Sequence, residues 1–175
     1  MAPIGTVDDG GRFSLSSAWP GRYVIRVDAP PQGWTVKTVI VNGRDAADAP
    51  LDLDRDIDDA VVTFTDRVAR LSGTVRTSTG QLDEAASVLL FPVEAARWVD
   101  YGRSTRRLRA IPTSGGAFST PAPPEGDYLL IALPESQLVD WQNPAFLERA
   151  APLADRVTVR EGQPVARALQ TRSLP

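Results

Sequence analysis

One pattern of glycine and aromatic residues occurs twice in the chain, and it constrains the fold more than any other feature. Gly11-Arg-Phe13 is followed by Pro20-Gly-Arg-Tyr23, and Gly116-Ala-Phe118 is followed by Glu125-Gly-Asp-Tyr128. The Gly-to-Phe-to-Gly-to-Tyr spacing is the same in both copies, at an offset of 105 residues. Glycine permits a tight turn, and an aromatic residue after it favours a β-strand. We therefore expect two copies of one all-β unit.

The repeat predicts two units that differ in completeness. Residues 68–175, the second unit, are expected to form a complete β-sandwich. The offset would begin the first copy about 34 residues before Met1, so residues 1–67, the first unit, are expected to be a β-sandwich repeat without its first strands. Unpaired strand edges invite strand addition. We therefore expect contact between the units, or self-association through the incomplete one.

Local patterns predict several individual elements. Strands are expected at 12–15, at 23–27, at 106–111 and at 87–91, the last with both faces buried because every residue after Ser87 is apolar. Asn42-Gly43 predicts a two-residue hairpin turn. One short helix is expected near 144–151, with Asn143 as its N-cap and Pro144 at its first position.

Composition excludes several classes of function. The 175 residues include no cysteine and no histidine, which removes disulfides, thiolate nucleophiles, imidazole bases and the usual zinc ligands. A net charge of -3 argues against nucleic-acid binding. No apolar run approaches the ~18 residues of a membrane span, and the N-terminus lacks the pattern of a signal peptide. We predict no cofactor.

The four tryptophans leave two interpretations open. They lie in or beside predicted turns, at Trp19, Trp34, Trp98 and Trp141. Exposed indoles would form a stacking platform for a sugar, which makes a carbohydrate-binding module the alternative function. A tryptophan that covers the end of a sandwich core is the more common arrangement.

One acidic segment has alternating aspartates, a pattern that also occurs in calcium-binding loops. Asp52, Asp54 and Asp56 alternate with other residues, but an EF-hand loop counted from Asp52 would have Ile57 where glycine is needed and Thr63 where glutamate is needed. The EF-hand is excluded. A looser carboxylate site for Ca²⁺ at these aspartates is the alternative to a solvated acidic loop.

Basic residues and hydroxyls give no catalytic pattern. The arginines at 103, 106, 107 and 109 are expected on an exposed strand face paired with acids, although they also have the chemistry to bind an anion. Lys37 is the only lysine, and no acid is positioned by the sequence to form an isopeptide bond with it. Nor does the chain contain a Gly-x-Ser-x-Gly motif. We predict that the protein is not an enzyme.

The motif order resembles that of the carboxypeptidase regulatory-like domain family, which has a transthyretin-like (prealbumin-like) β-sandwich. The resemblance covers roughly residues 71–171. It is carried by Leu71-Ser-Gly-Thr-Val75, Ala86-Ser-Val-Leu-Leu-Phe-Pro92, Gly116-Ala-Phe118 and Pro124-Glu-Gly-Asp-Tyr128. The first unit is similar to the tail of a preceding repeat in multi-repeat bacterial proteins of that kind.

Membership of this family would imply a particular role and location. Such domains are accessory modules without catalysis of their own, with structural, spacer or protein-interaction roles. Their partners would be neighbouring domains of a larger parent protein. The resemblance also implies export, to the periplasm, the outer membrane or the cell exterior.

Overall fold

The computed structural model describes residues 4–16, 18–98 and 106–174, and most of their regular structure is β-strand. The strands are β1 (Gly21–Tyr23), β2 (Thr35–Val41), β3 (Arg44–Asp45), β4 (Leu51–Leu53), β5 (Ala60–Thr65), β6 (Arg70–Arg76), β7 (Ala86–Pro92), β8 (Arg109–Pro112), β9 (Ala117–Pro121), β10 (Gly126–Pro134), β11 (Asp155–Val159) and β12 (Val165–Gln170). One α-helix, α1, spans Pro144–Ala150. The predicted all-β class with one short helix is confirmed.

The second unit is a sandwich of two sheets. One sheet has the order β11-β10-β7-β8 and is antiparallel throughout. The other has the order β12-β6-β9, in which β6 pairs antiparallel with β9 and parallel with β12. The first and last strands of the unit are therefore neighbours that run in the same direction.

The facing sides of these two sheets enclose the main core. Leu71 of β6 and Phe118 of β9 contribute to it from one sheet, and Leu90 of β7 and Tyr128 of β10 from the other, all of them buried. Side chains alternate across a strand, so each sheet contributes every second residue to this layer. Burial of the apolar side chains makes the main favourable contribution to folding.

The sheet that contains β7 is also covered on its outer face. Leu89 and Phe91 of β7 point away from the main core and pack in a second cluster with Phe146 and Leu147 of α1. The predicted burial of both faces of this strand is thus confirmed. The Asn143 side chain caps α1 by accepting a hydrogen bond from the Ala145 amide at 3.0 Å, as its position before Pro144 predicts.

Gly73 lies in the central strand of the three-stranded sheet, opposite Phe118 of β9 and Arg167 of β12. A Cβ atom at this position would collide with the Arg167 carbonyl oxygen and press on the Phe118 ring. The close approach of the parallel strand β12 therefore requires glycine here.

The first unit consists of two small sheets over a small core. One sheet has the order β3-β2-β5 and the other is the pair β1-β4. Their shared cluster has four buried residues, Val39, Val41, Ala46 and Ala47. Asn42 and Gly43 have φ angles of 50° and 75° and join β2 to β3, so the predicted hairpin turn is confirmed.

The two copies of the repeat share structural details as well as sequence. The Tyr23 hydroxyl donates to the Trp19 carbonyl at 2.7 Å, and the Tyr128 hydroxyl donates to the Pro124 carbonyl at 2.7 Å, four residues upstream in both copies. This contact is a tyrosine corner, a device that fixes a chain turn at the edge of a sandwich. Strand β5 begins at residue 60 and β12 at residue 165, so the last strands keep the 105-residue offset.

Three predicted strands differ from those observed. Residues 12–15 form only the isolated bridge between Phe13 and Val7, and the strand predicted at 23–27 ends at Tyr23. The strand predicted at 106–111 begins only at Arg109. Strand-forming residues become a strand only where another strand pairs with them. No strand of the described chain pairs with residues 24–28.

Candidate functional site

The first of two polar contacts between the units surrounds Asp48, and we call it the Asp48 junction. Arg107 donates from Nε to Asp48 Oδ2 at 2.6 Å and from Nη1 to the Tyr128 hydroxyl at 2.8 Å. Arg106 donates to the carbonyl oxygens of Val36 at 2.8 Å and Ala47 at 3.4 Å. Two adjacent arginines of the second unit therefore bind three residues of the first.

Charges in the Asp48 junction are shielded from water. The Asp48 and Arg107 side chains are 13% and 15% exposed. Burial lowers the Arg107 pKa, but the Tyr128 oxygen and the Asp48 carboxylate outweigh it, so the net pKa of Arg107 is raised. Asp48 Oδ1 lies 3.4 Å from Arg106 Nη1 as an ion pair, although it accepts no hydrogen bond from the described residues.

The second contact is centred on the turn between β11 and β12, and we call it the Glu161 junction. Glu161 accepts from Lys37 Nζ at 2.8 Å and from Thr65 Oγ1 at 2.7 Å, both in the first unit. Its own amide donates to Glu125 Oε1 at 2.7 Å. These contacts tie β2 and β5 to one end of the sandwich.

Hydrogen bonds set the charge state of the Glu161 junction. The bond from Lys37, followed in weight by the bond from Thr65, holds the Glu161 pKa below its usual value. The carboxylate form is therefore favoured where the units meet. Lys37 is 46% exposed and forms an ordinary ion pair there, which is not the buried environment that an isopeptide bond would need.

The tryptophans lie in four different environments. Trp19 and Trp34 are 81% and 44% exposed, and both belong to the first unit. Trp98 is 5% exposed, donates its indole N–H to the Pro92 carbonyl at 2.7 Å and meets the Phe91 ring edge-on at 5.7 Å. Its ring faces the core beneath α1, so it offers no surface for stacking.

Trp141 lies beside a shallow groove between the edges of the two sheets of the sandwich. The groove has a volume of about 370 Å³ and is mostly apolar. Arg109 crosses it, donating to the Pro121 carbonyl at 2.6 Å and to Thr120 Oγ1 at 3.2 Å. Burial of the Arg109 side chain lowers its pKa. Arg109 thus joins β8 to β9. Arg103, the remaining one of the four arginines considered for anion binding, lies outside the described residues.

The acidic segment is divided between a strand and a loop. Asp52 lies in β4 opposite Arg22 of β1 and forms an ion pair with it at 3.3 Å. Asp54 forms an exposed pair with Arg55 at 3.3 Å, and Asp56 is exposed. Within the described part of the chain, no three acidic side chains are grouped in a way that would hold a metal ion.

Sequence reasoning singled out Arg106 and Arg107 but not the acid that binds them. Asp48 stands 59 residues away from Arg107, in a segment that the pattern describes only as acidic. Glu161 stands 124 residues away from Lys37, and no sequence pattern indicates their contact. Side-chain contacts between residues that are far apart in the sequence leave no local sequence pattern.

Comparisons with known proteins give distant structural matches. No family profile and no curated protein matches the chain. The group B streptococcus pilus 2b backbone protein is 14% identical over 92% of this chain and 56% of its own, with a TM-score of 0.38. A streptococcal ancillary pilin is 13% identical over 91% and 47%, with a TM-score of 0.38. A DUF3823 family protein from Bacteroides ovatus is 16% identical over 59% and 43%, with a TM-score of 0.33.

This chain covers less than two thirds of the length of each of these structures. Similarity at these identities and TM-scores does not show what the chain does. Among residues 4–16, 18–98 and 106–174, no helix has the length and apolar character needed to cross a membrane.

Proposed function

We propose that this chain is a non-catalytic β-sandwich module that sets the orientation of neighbouring domains in a larger exported bacterial protein. In this proposal, residues 1–67 belong to one repeat and residues 68–175 form the next. The module either separates neighbouring domains as a spacer or binds them through its surface. Export and membership of the carboxypeptidase regulatory-like family remain part of the proposal.

The observation that carries the proposal is the pair of polar junctions between the units. The Asp48 junction holds the segment before β8 through Arg106 and Arg107, and the Glu161 junction holds the turn between β11 and β12. The two junctions are adjacent, because Val36 and Lys37 are neighbours in β2 and Glu125 contacts both Arg107 and Glu161. Contacts at both places restrict rotation between the units more than either contact alone. Charged hydrogen bonds are directional, so they favour one orientation over others.

The strand order of the second unit differs from that of an immunoglobulin constant domain. In an immunoglobulin constant domain, the first strand belongs to a sheet of order A-B-E-D. In the second unit, the first strand β6 lies between the fourth, β9, and the seventh, β12. The Pro124-to-Tyr128 motif that carries the resemblance forms the tyrosine corner.

The test measures the distance between the units and its spread. The chain has no cysteine, so Thr63→Cys and Gln170→Cys place spin labels at two exposed positions, one in each unit. Double electron–electron resonance is expected to give one narrow distance distribution. Asp48→Ala combined with Glu161→Ala is expected to broaden it, because both junctions lose their carboxylate.

Asp52→Ala is the matched control, since its ion pair is exposed and lies within the first unit. It should leave the distribution narrow and cost less than about 1 kcal/mol of unfolding free energy. Asp48→Ala should cost about 3 kcal/mol, because the largely buried Arg107 loses its carboxylate and keeps only neutral acceptors, the Tyr128 hydroxyl and the Glu125 carbonyl. A broad distribution in the parent chain would refute an orienting role.

A further inference from the structure

Strand β1 has one neighbour where its repeat counterpart has two. In the second unit, β10 lies between β11 and β7, with Tyr128 opposite Val157 on one side and Pro92 on the other. In the first unit, β1 pairs with β4, and Tyr23 lies opposite Leu51. The β1–β4 pair thus corresponds to the β10–β11 pair, with the register shifted by one residue, and no strand of the described chain lies beside β1 where β7 lies beside β10.

Residues 24–28 mark the place where that strand would pair. At the 105-residue offset they correspond to residues 129–133, which lie in β10 and pair with β7 residue by residue. In the first unit the same residues lie in no strand. Ile25 nevertheless packs against the small core, so the segment is held beside it while one edge stays unpaired.

The chemistry of the missing neighbour follows from what β7 does. All seven residues of β7 are buried, and Val88 and Leu90 supply the main core of the sandwich. The core of the first unit has only four buried residues, two of them alanine. A strand that completes this unit must therefore add apolar volume as well as backbone hydrogen bonds.

We propose that residues 21–28 form an acceptor edge for an apolar β-strand of the β7 type that is not among the described residues. The strand binds antiparallel to the edge. By analogy with β7, its residue equivalent to Pro92 lies opposite Tyr23, and its residue equivalent to Val88 lies opposite Val27. The inference depends on the repeat and not on the orienting function proposed above.

The test uses the full chain and a synthetic peptide. The peptide has the sequence of residues 85–93, with flanking lysines for solubility. Amide hydrogen exchange is followed by NMR with and without about 1 mM peptide, a concentration at which a Kd of about 0.1 mM slows the exchange of a protected amide about tenfold. At least a tenfold slowing is expected at some of the amides of residues 21–28, with β8 and β9 unchanged. Only alternate residues of an edge strand direct their N–H groups toward the added strand.

Orientation is tested with a spin label at either end of the peptide. A label beside the proline end is expected to broaden the resonances of Tyr23 more than those of Asp28, and a label at the other end should do the reverse. A peptide with proline in place of the residue equivalent to Leu89 cannot complete the ladder and should give no slowing.

Two chain variants complete the design. Val24→Pro removes an amide from the acceptor edge and is expected to abolish the orientation-specific broadening, with circular dichroism used to check that the sandwich remains folded. Arg26→Ala keeps the amide and removes an exposed side chain, so it should bind as the parent does.

Three results would overturn the proposal. One is unchanged exchange at residues 21–28 with peptide present. Another is slowing that a scrambled peptide reproduces or that falls on β8 or β9 instead. The third is strong protection of residues 21–28 without peptide that disappears on dilution, which would mean that a second copy of the chain occupies the edge.

Discussion

At the scale of single residues, Gly73 shows how one position limits the packing of a whole sheet. Gly73→Ala is expected to lower the free energy of unfolding by about 3 kcal/mol, because the added methyl group meets the Arg167 backbone and cannot be relieved by a side-chain rotation. Chemical denaturation followed by tryptophan fluorescence, to which the buried Trp98 contributes, measures the change.

Gly21→Ala is the matched control for this substitution. Gly21 also lies in a strand, but a Cβ there would meet its nearest neighbour, the Tyr23 ring, at an ordinary 3.6 Å. A change within about 1 kcal/mol is expected. Equal effects at both glycines would show that strand propensity, and not the approach of β12, determines the need for glycine at position 73.

At the scale of elements, the Asn143 cap determines how firmly α1 covers the outer face of the β7 sheet. Asn143→Ala is expected to cost about 1 kcal/mol of unfolding free energy, because the Ala145 amide loses its acceptor. Asn143→Asp keeps an acceptor at the same place and should restore most of the loss. Thermal unfolding of the three proteins provides the comparison, and equal stability of all three would contradict the role of the cap.

Glu161, in the turn between β11 and β12, makes the free energy of unfolding depend on pH. The Glu161 pKa is lowered in the folded chain, so its contribution is complete above the usual glutamate value and is lost as the pH falls through the folded value. An NMR titration of the Glu161 carboxyl group is expected to give a pKa below 4.5. In Lys37→Gln the pKa should rise toward its usual value, and no rise would contradict the role of Lys37.

Elements with a complete local signal were predicted well from the sequence, and elements that depend on distant partners were not. The apolar run of β7 and the Asn143-Pro144 start of α1 carry their own evidence in the sequence. Residues 24–27 have the alternation of a strand, yet they extend β1 only if another strand lies beside them. The Asp48 junction was missed because its members are joined by the tertiary fold alone.

At the scale of the whole molecule, the unequal cores predict unequal local stability. Amides of β7 and β10 are buried between two layers and are expected to exchange only on global unfolding. Amides of β1 and β4, beside a core of four buried residues, should exchange through local opening at least tenfold faster. Native-state hydrogen exchange measures both sets, and equal rates would indicate that the two units unfold as one.

The parallel pairing of β6 and β12 also determines how the second unit would respond to mechanical tension. Leu71 lies beside Val165 and Arg76 beside Gln170, so the chain enters at one end of this ladder and leaves at the other. A pull between residues 70 and 170 acts along the strands and loads their hydrogen bonds together in shear, instead of opening them one after another. In a row of consecutive units with this geometry, a stretching force passes along the length of each unit through its paired first and last strands.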